Sequence, residues 1–283
     1  MARTDYGHFT VEPMTGGLGA TVHGLDLAQA DDAVAARIRA ALLDHLVLLF
    51  PDQNMTPDQH LDLTRRFGPL IEHPYVECLE DHPGIIEIVK EADEELNWGG
   101  GWHTDMPYEP APPLGAILYA REVPPWGGDT LFANLYLAFD TLSDGMKDML
   151  DGMKAVHRSW ASGVYSSHFG GMAGRGDGEI FGEQPIIRTH PETSRKLLFV
   201  NRSFTWKLAG MTEAESNSIL NYLFEHCEQP AFTCRFRWHA NDVAFWDNRS
   251  VIHDALTDYH AQRMGTGFRR VMHRTTIGGD AVY

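Results

Sequence analysis

The chain is poor in cysteine, in long apolar runs and in basic residues, and each shortage narrows its chemistry. Of 283 residues three are cysteine (Cys78, Cys227, Cys234), an odd number without paired zinc-ligand spacing. That argues against both a disulfide framework and a thiolate metal cluster. No apolar run approaches the ~20 residues of a membrane-spanning helix, and the opening MARTDYGHFTVEP lacks the charged-then-apolar pattern of a signal peptide. Lysine and arginine number 23 against 39 aspartate and glutamate, a formal net charge of −16. Such an excess repels polyphosphate, so nucleic acid is not an expected partner. Neither a repeat of 20–50 residues nor a low-complexity linker divides the chain. The expectation is a cytoplasmic protein with no membrane or nucleic-acid partner, folded as a single domain over residues 1–283.

What is present reads as a globular α+β protein with a mainly β core. Hydrophobic residues make up 43% and charged residues 22%, an ordinary balance for a chain that buries a sizeable core. Residues 32–46 place Val34, Ile38, Ala41, Leu42 and His45 on one helical stripe after an aspartate start. Thr56-Pro57-Asp58-Gln59 is a capping box with proline at the first helical position, opening a helix to about Phe67. A second box, Thr212 to Glu215, opens a helix carrying Ile219, Leu220, Leu223 and Phe224. Short strand candidates are more numerous: 46–50, 116–122, 197–200, 233–238, 243–246 and 269–276. Seven glycines fall within 163–182, which predicts a mobile glycine-rich lid over about 160–185.

The first chemical signal is Gly101-Trp102-His103-Thr104-Asp105. On a strand, residues two apart project to one side, so His103 and Asp105 can share an ion. His60-Leu61-Asp62 has the same spacing, but the capping box puts it on a helix, where the two side chains diverge. A third donor, His253, follows a β-like run and a polar turn in VAFWDNRSVIH. Two histidines and one carboxylate form a facial triad that leaves coordination positions open, the arrangement of non-haem Fe(II) oxygenases. Beyond it, RRVMHRTT places Arg270, Met272 and Arg274 on one face of a strand and Arg269, Val271 and His273 on the other. Arg270 and Arg274 would stand roughly 13 Å apart at about 3.3 Å per residue. No aspartate or glutamate occurs from 259 to 279, a local reversal of sign. Guanidinium forks bind carboxylates and sulfonates bidentately, so two inward arginines near a cation site imply two anionic ligands.

Taken together, these stretches resemble the TauD/TfdA family of Fe(II)- and 2-oxoglutarate-dependent dioxygenases. The resemblance rests on WHTDMPYEPAPPLGAILYAREVPPWGGDTLFAN (102–134), LLFVNRSFT (197–205) and FWDNRSVIHDAL through FRRVMHRTTIGG (245–279). GATVHGLDL (19–27) and LVLLFPDQNMTPDQ (46–59) add to it, so that nearly the whole chain is covered. The family implies a double-stranded β-helix, a cupin-like jelly roll, with helices outside it and Fe(II) on His103, Asp105 and His253. It implies that Thr130 and Arg270 bind 2-oxoglutarate and that Arg274 meets the anionic group of the substrate. With O2 as the second cosubstrate, 2-oxoglutarate becomes succinate and CO2 while a substrate C–H bond is oxidised. A homo-oligomer, dimer or tetramer, is implied as well.

The implied substrate is a small anionic organic molecule: a sulfonate, sulfate ester or carboxylate. His73 matches a substrate-site histidine of taurine-oxidising members, and Tyr108 and Phe204 match pocket positions. Trp206, Tyr165 and Phe169 are further aromatic candidates. Two departures count against taurine itself. Those members carry a tyrosine three residues after the histidine, where this chain has Val76, and an asparagine before the WHTD motif, where it has Gly99. Taurine dioxygenase proper is therefore an alternative. A non-catalytic metal-binding β-barrel and a zinc hydrolase are alternatives of another class, although neither needs anion partners at Thr130, Arg270 and Arg274.

Overall fold

The computed structural model describes residues 4–74, 76–94, 98–159, 179–259 and 267–281. The largest sheet has eight strands, in the spatial order Thr4–Asp5, Thr10–Pro13, Ala20–His23, Val47–Phe50, Val243–Asp247, Gly115–Glu122, Arg270–Ile277 and Ile86–Lys90. All neighbours are antiparallel except Ala20–His23 beside Val47–Phe50. A second sheet places Thr130–Asn134 between Thr233–Phe236 and Val251–Ala255. A third places Lys154–Arg158 between Thr205–Leu208 and Phe181–Pro185, and Ile187–Thr189 pairs with Lys196–Leu198. The result is mainly β with few helices, all outside the sheets. Among the described residues no helix is long and apolar enough to cross a membrane.

The two-residue period of the central strands separates two cores. In Gly115–Glu122, Ala116, Leu118 and Ala120 face one core while Ile117 and Tyr119 face the other. In Val243–Asp247, Ala244 and Trp246 join the first, and Val243 and Phe245 the second. Successive side chains of a strand point to opposite faces, so a strand buried on both sides reads as an unbroken apolar run. The second core is roofed by the helix Asp32–His45 through Ile38 and Leu42. The first lies towards the second sheet, where Phe132 meets Trp246 at 5.7 Å between rings. Gly115 opens its strand because a Cβ there would stand 2.3 Å from the Trp246 carbonyl oxygen.

Both capping boxes form, at Thr56 with Gln59 and at Thr212 with Glu215. The first opens Pro57–Arg65, ending two residues before Phe67; the second opens Glu213–Cys227. Asp31 caps Asp32–His45 by accepting from the Val34 N–H. The lid expected over 160–185 lies outside the described residues at 160–178, with Tyr165 and Phe169; its end, Phe181–Pro185, is a strand paired with Lys154–Arg158. At that described end, pairing with a neighbouring strand, which the local glycine pattern does not reveal, replaces the expected loop.

Two buried histidines make the fold sensitive to acid. Burial pushes His60, in Pro57–Arg65, and His157, in Lys154–Arg158, down to about 3. In the unfolded chain each titrates near ~6.5. Between these values the unfolded state binds the extra protons, so stability falls as pH falls, by up to about 1.4 kcal/mol per pH unit for each histidine. Urea midpoints taken from about pH 7 to about pH 5 should decline, and less steeply for His157→Gln; a level midpoint would rule this out.

Candidate metal and anion site

His103, Asp105 and His253 converge: one ligand atom from each lies within 4.8 Å of the others, and all three residues are buried. His253 is held in Val251–Ala255 opposite Phe132. His103 is not on a strand, contrary to the expectation for the His-x-Asp segment; it makes a single antiparallel bridge to His253. The two exchange backbone hydrogen bonds at 2.9 and 2.8 Å, which brings the imidazole centroids to 4.1 Å. Long-range pairing thus does what local strand geometry was expected to do. The His60–Asp62 pair does lie on a helix, with His60 buried and Asp62 exposed.

The protonation of this cluster suits a cation. His103 Nδ1 lies 2.7 Å from the Gly101 carbonyl; a carbonyl accepts, so Nδ1 carries the proton and Nε2 presents its lone pair. Burial lowers the pKa of both imidazoles, and that of His253 well below its ordinary value. Burial pushes the Asp105 carboxyl up, but Arg274 and then the two imidazoles outweigh it and hold the group below the usual carboxylate range. Two neutral imidazoles and one carboxylate are the deprotonated ligands that metal binding requires.

The Asp105 carboxylate is divided between two tasks. Oδ1 lies 3.7 Å from Nε2 of both histidines, while Oδ2 lies 2.6 Å from Arg274 Nη2. Arg274 and Arg270 are buried at 3% and 4% exposure, whereas Arg269 is exposed and paired with Glu91 and Glu122. The register read from RRVMHRTT is the observed one. The Arg274 guanidinium stands 5.5 Å from the Trp98 ring and 5.6 Å from Trp246. Arg270 has a buried Nε with no hydrogen-bond partner among the described residues, and burial lowers its pKa.

His103, His253, Thr130, Arg270 and Arg274 border one open cavity, about 410 Å³ including space open to solvent, with apolar walls that include Ile88 and Leu118. Thr130 Oγ1 accepts from the Trp238 indole N–H at 3.0 Å. Gly99, at φ +82°, lies against His103, where a Cβ would be 3.7 Å from the ring. His73 is half-buried with its ring 6.1 Å from Trp98; burial and then Arg274 push it down to about 4. Phe204 sets an edge on the His103 ring at 6.0 Å and Tyr108 packs on Phe204 at 5.6 Å. Neither is among the described residues that border this cavity. Trp206 packs instead against Phe181 in the third sheet. Trp98, Trp246 and Trp238 are not singled out by the sequence, where Trp246 and Trp238 end strand-like runs and Trp98 stands in a glycine-rich stretch.

A family model described as taurine catabolism dioxygenase TauD, TfdA family matches residues 10–276. The chain belongs to this family: it is a dioxygenase, an oxidoreductase. It is 32% identical over 285 residues to an (S)-phenoxypropionate/alpha-ketoglutarate-dioxygenase of Sphingobium herbicidovorans, covering 96% of each chain. It is 31% identical to an alkylsulfatase of Acinetobacter baylyi, covering 94% of this chain and 84% of that one. The crystal structure of a taurine dioxygenase from Burkholderia xenovorans superposes with a TM-score of 0.81 at 37% identity, covering 96% of this chain and 90% of the other.

Proposed function

We propose that this protein is an Fe(II)- and 2-oxoglutarate-dependent dioxygenase that oxidises a C–H bond of a small anionic substrate with an apolar body. The observation that carries the proposal is the cluster of His103, Asp105 and His253 donors, whose two histidines line one cavity together with the buried Arg270 and Arg274. The donor set fits Fe(II), since two imidazoles and one carboxylate leave open positions. When bound there with 2-oxoglutarate, Fe(II) supplies oxidation of a C–H bond by O2, coupled to release of succinate and CO2. We read the eight-stranded sheet and the sheet around Thr130–Asn134 as the two faces of a jelly roll, within one domain.

Each remaining role belongs to a side chain of this protein. Arg270, with an unpartnered buried Nε, has the donor geometry for the distal carboxylate of 2-oxoglutarate. Thr130 Oγ1 already accepts from Trp238, so its own O–H proton remains to be donated to that carboxylate. Arg274, between two indoles, holds the sulfonate, sulfate or carboxylate of the substrate. Ile88 and Leu118 line the cavity and keep water from the reacting carbon. Gly99 and the buried Val76 offer no polar partner for an amine, which favours alkyl sulfates, alkanesulfonates and aryloxyalkanoates over taurine. His73, Tyr108 and Phe204 shape the surroundings of Trp98 and His103. A homo-oligomer completes this reading.

Anaerobic addition of Fe(II) and 2-oxoglutarate should produce a weak visible charge-transfer band. Succinate release should then depend on one member of a panel of alkyl sulfates, sulfonates, aryloxyalkanoates and taurine. Absence of the band sinks the cosubstrate assignment. Taurine as the best member of the panel would favour taurine dioxygenase proper and overturn the reading of Val76 and Gly99.

A further inference from the structure

Asp105 lies on a stretch without strand pairing, yet its carboxylate stands among two histidines held by a backbone bridge. A single side chain grips its backbone from both sides. The Asp105 N–H donates to Asn248 Oδ1 at 2.8 Å, and Asn248 Nδ2 donates to the Asp105 carbonyl at 3.1 Å and to the Pro113 carbonyl at 3.2 Å. Asn248 is fully buried, and both of its amide protons are used. Its backbone N–H donates to the Leu114 carbonyl at 2.9 Å, so the loop carrying Asp105 is fastened at Asp105, Pro113 and Leu114.

The turn that delivers Asn248 is itself locked. Asp247 accepts from Arg249 at 2.9 and 2.8 Å and lies 3.0 Å from His190 Nε2. Arg249 also reaches Glu192 at 2.8 Å, and Ser250 N–H closes the turn on the Asp247 carbonyl at 3.1 Å. The same turn leads into Val251–Ala255, which carries His253. One rigid element therefore sets His253 by chain connection and Asp105 by hydrogen bonds, while the His103–His253 bridge ties in the third donor.

We infer that Asn248 is a positioning residue for the metal site, setting the place of Asp105 against His103 and His253 through the backbone. The inference rests on reading that triad as the metal site. Outer groups that orient ligands typically contribute about 10- to 100-fold to metal affinity. Here the oriented group is a ligand's main chain, which the ligand's own side-chain chemistry does not reveal.

Co(II) titrated into the full-length metal-free protein tests it, with visible absorption reporting coordination and Tm reporting the fold. Asn248→Ala should weaken Co(II) binding about 10- to 100-fold and change the Co(II) absorption envelope. Asn248→Ser, which retains one polar atom, should fall between alanine and wild type. Leu220→Ala, which opens a cavity beneath the distant helix Glu213–Cys227, should lower Tm and leave both metal readouts unchanged. Asn248 variants with lowered Tm but wild-type Co(II) affinity and spectrum overturn the inference, because the residue then serves the fold alone. If the alanine variant does not fold, the serine variant decides by the same two readouts. Wild-type protein that takes up no Co(II) overturns the triad assignment instead.

Discussion

Turnover should fall to background when His103, Asp105 or His253 is replaced. A bound metal ion is worth several kcal/mol of transition-state stabilisation, so loss of one ligand in three costs on the order of a thousandfold in substrate-dependent succinate release. The three variants should differ in stability. His103→Ala and His253→Ala remove neutral rings, and the bridge between the two positions is backbone to backbone and survives. Asp105→Ala strips a buried guanidinium of its partner at 2.6 Å, and breaking such a pair costs about 3–5 kcal/mol. Asp105→Asn, which keeps the shape, is the better variant, and circular dichroism with a thermal melt monitors the fold. Near-normal succinate release from His253→Ala would remove that residue from the site.

The two buried arginines should separate kinetically. Arg270→Ala removes a charge-assisted contact worth about 1.5–3 kcal/mol, which is roughly a ten- to hundredfold rise in the 2-oxoglutarate requirement. Arg274→Ala should instead raise the KM of the primary substrate and increase succinate release uncoupled from product, since the reacting C–H bond is no longer held in place. Its anaerobic band with 2-oxoglutarate should persist. Arg269→Ala is the internal control: that exposed side chain pairs with Glu91 and Glu122 at the surface, a contact worth at most about 1 kcal/mol. The opposite pattern, with Arg274→Ala damaging cosubstrate binding, would reverse the order of the two anion sites along the strand.

The two-residue period of RRVMHRTT determined by itself which arginines turn inward, because a strand alternates faces whatever it pairs with. In the structure the same alternation sends Ile117 and Tyr119 to one core and Leu118 and Ala120 to the other. Capping boxes at Thr56 and Thr212 determined two helix starts, since their hydrogen bonds close within four residues. The site itself was legible as residue types: His103, Asp105 and His253 were named from spacing and turn chemistry. Their meeting was decided by the tertiary structure alone. A bridge joins His103 to His253 across 150 residues, and local propensity does not encode such pairing. Asn248 beneath Asp105, and Trp98 and Trp246 about Arg274, likewise follow from how distant segments stack. Local hydrogen bonds and periodicity are written within a few residues of sequence; the register between distant segments is settled by the packing of the whole core.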